Sequence, residues 1–240
     1  MGSKSKSGHS PASGGRGGQY RVGMQARGPI RQPKLRDVGK ALGGRERAVI
    51  VRPELPIAAV LLLLAGPEGD YRVIFTKRTS KVEHHKGEIS FPGGVREPVD
   101  KTLEQTALRE THEEVGVKPT DVKVLGAFDD IVTRSNIHVT PFVGWMAYPY
   151  EFKPFADEVA EILPVPLPHL LLPENIIDET REVDGKKFKM RSYKYGDHII
   201  FGATAMMVRR FLDIVYPGLA EPWQMSPRAN GVPQSGPPPL

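Results

Sequence analysis

Three glutamates, Glu110, Glu113 and Glu114, stand at i, i+3 and i+4 within the run Leu108–Val115. On a helix this spacing gathers all three within an arc of about 100°. Like charges so placed destabilise a helix by roughly 0.2–0.5 kcal/mol per pair. A hard divalent cation removes that repulsion and turns the face into an oxygen-rich metal site. A solvated acidic helix face is the simpler account of such a triplet taken alone, and its setting argues for more. Gly93-Gly94 lies upstream, where backbone without a Cβ can approach a ligand closely. Arg109 falls on the side of the helix away from the apolar stripe and is placed to pair with Asp100 at the helix entry.

The elements that must hold these residues can be read from periodicity and punctuation. Thr102 to Val115 reads as a helix with Ala107, Leu108, Thr111 and Val115 facing the core and Gly116 as its stop. Ile57 to Leu64 is a continuous apolar run, suited to a strand buried on both faces. Pro67, Gly69 and Asp70 supply a turn into a second strand, Tyr71 to Thr76, so the two form a hairpin. Glu88 to Phe91 is a short strand leading into Pro92-Gly93-Gly94. Further strands are expected near Val122 to Ala127 and Val139 to Ala147. Val183 to Tyr195 is broken by Asp184-Gly185, a hairpin turn. Ala203 to Val215 closes the domain as an amphipathic helix. Strands and helices alternate without a regular βαβ rhythm, which predicts an α/β (α+β) fold with a mixed central sheet between helices.

Composition bounds the rest. The chain has 240 residues and no cysteine, which excludes disulfide scaffolds, zinc-thiolate sites and thiol nucleophiles. Its longest apolar run, Ile57 to Ala65, is far too short to span a bilayer. No apolar segment follows the basic N-terminal residues, so no secretory signal is expected, and a cytoplasmic location is. The formal charge of +5 conceals an asymmetry. Residues 1–47 hold 11 Lys and Arg against 2 acidic residues, whereas the remainder holds 22 against 26. The basic balance therefore belongs to a tail, and any nucleic-acid contact is confined to it. Residues 1–45, rich in Gly, Ser, Arg and Lys, are expected to be mostly disordered, with a short helix conceivable around Val38 to Leu42. Residues 46–222 form one domain, and residues 223–240 make a Pro-rich second tail.

The segment from Gly93 to Val117 resembles the box of the Nudix hydrolases, GX5EX7REUXEEXGU with U a bulky apolar residue. Arg109-Glu110, Glu113-Glu114, Gly116 and Val117 match in register. Thr111 replaces the first U, and Asp100 replaces the first glutamate with one extra residue before Arg109. Upstream, Thr76, Arg78, Gly87 and Phe91-Pro92-Gly93-Gly94 are similar to LLTXR(S/A)X3RX3GX3FPGG, which marks the coenzyme A pyrophosphatase branch; Glu83 stands where that motif has its second arginine. The runs Asp157-Glu158-Val159 to Val165-Pro166-Leu167 and Tyr195 to Ala205 resemble the same branch.

The resemblance implies a Nudix-type α/β/α sandwich. It implies a hydrolase of nucleoside diphosphate-linked substrates, with coenzyme A or acyl-coenzyme A split to 4′-phosphopantetheine and adenosine 3′,5′-bisphosphate. ADP-ribose, NADH or another dinucleotide is the alternative substrate. It also implies Mg²⁺ or Mn²⁺ held by Glu110, Glu113, Glu114 and the Gly94 carbonyl, because an anionic substrate meets a carboxylate face only through cations. Arg78, Lys86 and Gly93 would contact substrate. The general base would be Glu113, Glu114 or Glu158, with Glu161, Asp129 and Asp130 as further candidates. His84-His85 and Trp223 are read as bystanders, Trp145 as a core residue, and a homodimer is expected only by analogy with the family.

Overall fold

The computed structural model describes residues 30–80, 87–183 and 186–218. In chain order, α1 (Leu35–Gly43) precedes β1 (Ile57–Ala65), β2 (Arg72–Arg78), β3 (Ile89–Ser90), β4 (Gly93–Val95) and α2 (Leu103–Val115). Then follow β5 (Lys123–Ala127), β6 (Ile131–Val132), β7 (His138–Met146) and β8 (Val159–Pro166). The chain continues through β9 (Ile176–Val183), β10 (Lys186–Tyr195), β11 (His198–Ile200) and α3 (Gly202–Val215).

The apolar run in β1 makes it the centre of the main sheet, whose path is β3-β2-β1-β7-β5. β4 adds to β1, β6 to β7 and β8 to β2. β1 and β7 are parallel over nine paired positions, while every other pairing is antiparallel, so the sheet is mixed. A second sheet orders β11-β10-β9. Ala59, Leu61, Leu63 and Ala65 form one face of β1 and pack with Ala107, Val115 and Val117 of α2 and the segment after it. Leu62 and Leu64, on the opposite face, are equally buried. Burial on both faces is what an unbroken apolar strand requires. Among the described residues no helix is long and apolar enough to cross a membrane.

α2 begins and ends where its capping chemistry dictates. The Thr102 hydroxyl accepts from the Gln105 N–H at 3.2 Å, and the Gln105 side chain accepts from the Lys101 N–H at 2.8 Å. Gly116 takes the left-handed conformation, φ 76°, which ends the helix. The last carbonyls of α2 are satisfied from outside: Lys153 N–H donates to Val115 and Phe155 N–H to Glu114, both at 2.9 Å. Thr111, buried within the apolar stripe, donates its hydroxyl to the Ala107 carbonyl at 2.6 Å. A threonine therefore fits an apolar position there without an unpaired polar atom.

The structure refines the sequence reading in three places. The helix near Val38 is longer than the conceivable short one, and Val38 and Leu42 are 0% and 4% exposed. Residues 35–43 are thus packed structure. Glu158 and Glu161 flank and enter a strand, β8, in a segment to which the sequence reading assigned no element. The strand of the second hairpin before Asp184-Gly185 starts at Ile176 rather than Val183; the turn dipeptide itself lies outside the described residues.

Candidate active site

The site is built where α2 crosses β4. Gly93 approaches β1 so closely that a Cβ would lie 2.4 Å from the Ala59 carbonyl oxygen and 2.6 Å from the Val60 Cα, and its φ is 152°. Only glycine fits there. That approach brings the Gly93 N–H to the Glu114 carboxylate, which accepts at 3.2 Å. At Gly94 a Cβ would fall 2.4–2.5 Å from the Glu110 carboxyl atoms. The diglycine is thus a cradle that two of the three glutamates fill with their carboxylates.

Burial separates the glutamates. The Glu114 side chain is 5% exposed, Glu110 16% and Glu113 55%. Burial pushes Glu114 up to about 8; the Gly93 N–H and Arg78 oppose the shift, and Glu110 and Glu158 add to it. Glu110 is raised too, again chiefly by burial, with the Arg109 cation opposing and Glu113 and Glu158 reinforcing. Glu158 therefore lies within electrostatic reach of both. Its place follows from the 153–158 turn: Glu158 N–H donates to the Phe155 carbonyl, and Thr79 N–H donates to the Glu158 carbonyl, both at 2.9 Å.

Arg109 organises the entry to α2. Its Nε and Nη2 grip the two Asp100 carboxylate oxygens at 3.0 and 2.9 Å. Asp100 is 4% exposed and also accepts from the Glu97 N–H and the Thr106 hydroxyl. The guanidinium, ahead of these, holds the Asp100 carboxyl far below the ordinary carboxylate range. The expected pairing is present, and aspartate fills the place of the family's longer acid. Arg109 Nη1 also bridges Glu110 and Glu113, each at 2.9 Å. Among the described residues no three acidic or histidine groups are gathered as a ready metal-binding set. Glu110 and Glu113 share the Arg109 guanidinium, and Glu114 turns to the Gly93 N–H.

The Arg78 Nη1 stands 3.9 Å from Glu114, and its Nε is buried without a hydrogen-bond partner among the described residues. An unpaired buried guanidinium N–H beside the desolvated Glu114 carboxylate leaves donor capacity for an anion. Together with the diglycine cradle and the hard oxygen donors, it makes the residues present a good fit for a divalent cation carrying an anionic substrate.

The remaining candidates divide. Glu161 pairs with Lys77 at 4.0 Å and His198 at 3.5 Å, away from the carboxylate face. Asp129 pairs with Arg45 at 2.6 Å. Asp130, 2% exposed, takes Arg47 at 2.7 Å, His138 at 2.9 Å and Thr140 at 2.8 Å. Asp129 and Asp130 hold the β5–β6 turn against the chain before β1. Lys86, Glu83, His84, His85 and Trp223 lie outside the described residues. Trp145 sits half-buried in β7 and donates to the Gly66 carbonyl at 2.8 Å. The sequence reading missed the Gly93 N–H as a partner of Glu114 and the Arg109 bridge across Glu110 and Glu113. The first depends on tertiary approach, but the i, i+4 spacing of Arg109 and Glu113 was a legible signal.

The family described as NUDIX domain matches residues 55–183, and the chain belongs to it. It is 37% identical over 66% of its length to Nudix hydrolase 15, mitochondrial, of Arabidopsis thaliana, covering 58% of that protein. It is 37% identical over 62% of its length to peroxisomal coenzyme A diphosphatase NUDT7 of Mus musculus, covering 66% of it. It is 31% identical over 83% of its length to mitochondrial coenzyme A diphosphatase NUDT8 of Homo sapiens, covering 83% of it. The chain spans less than two thirds of the length of the first two.

Proposed function

We propose that the protein is a divalent-cation-dependent hydrolase of phosphoanhydrides, acting on coenzyme A or acyl-coenzyme A to give 4′-phosphopantetheine and adenosine 3′,5′-bisphosphate. The observation that carries this reading is the pair of desolvated carboxylates, Glu110 and Glu114, seated on Gly93-Gly94 beside Arg78. The coenzyme A assignment draws on the Thr76, Arg78, Gly87 and Phe91–Gly94 motif and on the two mammalian relatives named coenzyme A diphosphatases.

Glu110, Glu113, Glu114 and the Gly94 carbonyl would hold Mg²⁺ or Mn²⁺, which supplies Lewis-acid polarisation of phosphoryl oxygens and a more acidic bound water. Arg78 uses its unpaired Nε–H on a phosphate oxygen. Arg109 grips Asp100 with Nε and Nη2, and the Glu110 and Glu113 carboxylates that share its Nη1 would be the ones to hold the cation. That the Glu158 charge acts on both Glu110 and Glu114 supports the reading that it accepts the proton of the attacking water, with Glu113 and Glu114 as alternatives. Attack in line on one phosphorus expels the other phosphate.

A substrate panel tests the reading. Coenzyme A, acyl-coenzyme A, ADP-ribose, NADH and diadenosine polyphosphates are incubated with Mg²⁺ or Mn²⁺, and products are identified by mass. Cation-dependent release of 4′-phosphopantetheine from coenzyme A, fastest of the set, is expected. Faster cleavage of ADP-ribose or NADH would reassign the substrate, and no cleavage of any would contradict the reaction class.

A further inference from the structure

Four aromatic side chains follow one another after β7: Tyr148, Tyr150, Phe152 and Phe155. The first three pack against the core shared by β1 and α2, and the rings of Tyr150 and Phe152 lie 5.7 Å apart. Phe155 does not join them. It is 49% exposed and pairs with no other ring among the described residues. A single exposed phenyl ring is common on protein surfaces, so the weight falls on where this one is held. Its N–H donates to the Glu114 carbonyl at 2.9 Å, and its carbonyl accepts from the Glu158 and Val159 N–H groups at 2.9 and 2.8 Å. Phe155 thus links the backbone of the buried site glutamate to that of Glu158, whose charge acts on both Glu110 and Glu114. The turn that carries it is pinned at both ends. Lys153 N–H donates to the Val115 carbonyl at 2.9 Å, the Thr79 hydroxyl to the Asp157 carbonyl at 2.8 Å and Thr79 N–H to the Glu158 carbonyl at 2.9 Å. A ring on fixed backbone at the rim of the carboxylate site therefore keeps about half of its surface open to solvent.

We propose that Phe155 is the platform on which the nucleobase of the substrate stacks. The inference rests on the phosphoanhydride hydrolysis proposed above and adds the place of the base. The diphosphate of such a substrate meets Glu110 and Glu114 through the cation, and its base is one ribose removed. A base stacked on an aromatic side chain gains about tenfold or more in affinity. The pantetheine arm, saturated and rich in amides, offers no π face to a phenyl ring, so Phe155 takes the nucleotide half. Every base has a π face, so the ring sets the orientation of the substrate rather than the identity of its base.

Phe155→Ala, Phe155→Leu and Phe155→Trp are compared with wild type in Mg²⁺. The substrate is the fastest of the panel, and its nucleotide and non-nucleotide products serve as inhibitors (adenosine 3′,5′-bisphosphate and 4′-phosphopantetheine for coenzyme A). Because the ring is half exposed, the variants should melt close to wild type. Phe155→Ala and Phe155→Leu, which both lose the π face, should raise KM about tenfold and leave kcat within about twofold. Inhibition by the nucleotide product should weaken by the same factor, and inhibition by the other product should not change. Phe155→Trp should hold KM at or below the wild-type value, and the nucleotide product should quench its added indole fluorescence beyond any change in wild type. Unchanged KM in both Phe155→Ala and Phe155→Leu overturns the platform and leaves the hydrolase reading intact. So does weakened inhibition by the non-nucleotide product alone, or absence of the added quenching in Phe155→Trp. Failure of the wild type to cleave any member of the panel overturns the reaction, and the platform with it.

Discussion

At the scale of single residues, Glu114 is the group whose surroundings matter most. Burial raises it from 4.5 to about 8, so the folded protein holds a proton there that the unfolded chain releases. The sign follows: the metal-free protein loses stability as pH climbs between those two values, then levels off. Glu114→Gln keeps the acceptor for the Gly93 N–H and removes the charge. Its metal-free melting temperature should fall less across that pH window than the wild type's, while turnover drops by about two or more orders of magnitude. An identical pH dependence of melting would show that Glu114 does not titrate as described. Gly94→Ala separates site from fold. The three atoms nearest to an added methyl all belong to the end of the flexible Glu110 side chain. The variant should therefore melt close to wild type and bind Mn²⁺ about tenfold more weakly, as measured by calorimetry. The Glu-x-x-Glu-Glu spacing and the diglycine were legible residue by residue. What spacing could not convey was rank, because the difference between buried Glu114 and exposed Glu113 arises from β4 and the 153–158 turn.

At the scale of elements, the entry to α2 and the diglycine strand carry the site. Asp100→Asn weakens the two-pronged grip of Arg109 and should cost about 2–3 kcal/mol in denaturant unfolding. Because the Asp100 carboxyl is held far below its ordinary value, its stabilisation is present above the unfolded-state pKa and is lost as pH falls below it. The variant's deficit should thus shrink in strong acid; a constant deficit would assign it to packing. Gly93→Ala, unlike Gly94→Ala, drives a methyl into β1 backbone at a φ that favours glycine, and should cost about 2–4 kcal/mol. α2 was readable to within a residue because Thr102 and Gly116 are local signals. β8 was not, because Pro164 and Pro166 interrupt its pattern. Both oppose β2, at Ile74 and Arg72, and strand prolines are tolerated where no ladder donor is needed.

At the scale of the molecule, the main sheet joins chain segments far apart in sequence. β1 and β7 lie parallel in register from Ile57–His138 to Ala65–Met146. Apolar content revealed β1 as central, but a parallel partner some eighty residues away leaves no local trace. The packing of the helix around Val38 to Leu42 was hidden for a related reason: Val38 and Leu42 look isolated in a polar segment and are buried because α1 meets β5 and α3. Deleting residues 1–29 should leave hydrolysis and melting unchanged, and should remove any salt-dependent nucleic-acid binding by the basic segment. Deleting residues 1–45 also strips Val38, Leu42 and the Arg45–Asp129 pair, and should cost about 3 kcal/mol or more. Equal melting of the two truncations would count against α1 as part of the fold. The most direct test of the central claim is Mn²⁺ binding followed by electron paramagnetic resonance, in wild type and in the Glu110→Gln/Glu114→Gln double variant. Saturable binding that disappears in the folded variant is what the carboxylate cradle requires. Equal binding by both proteins would place the cation elsewhere and contradict the proposed active site.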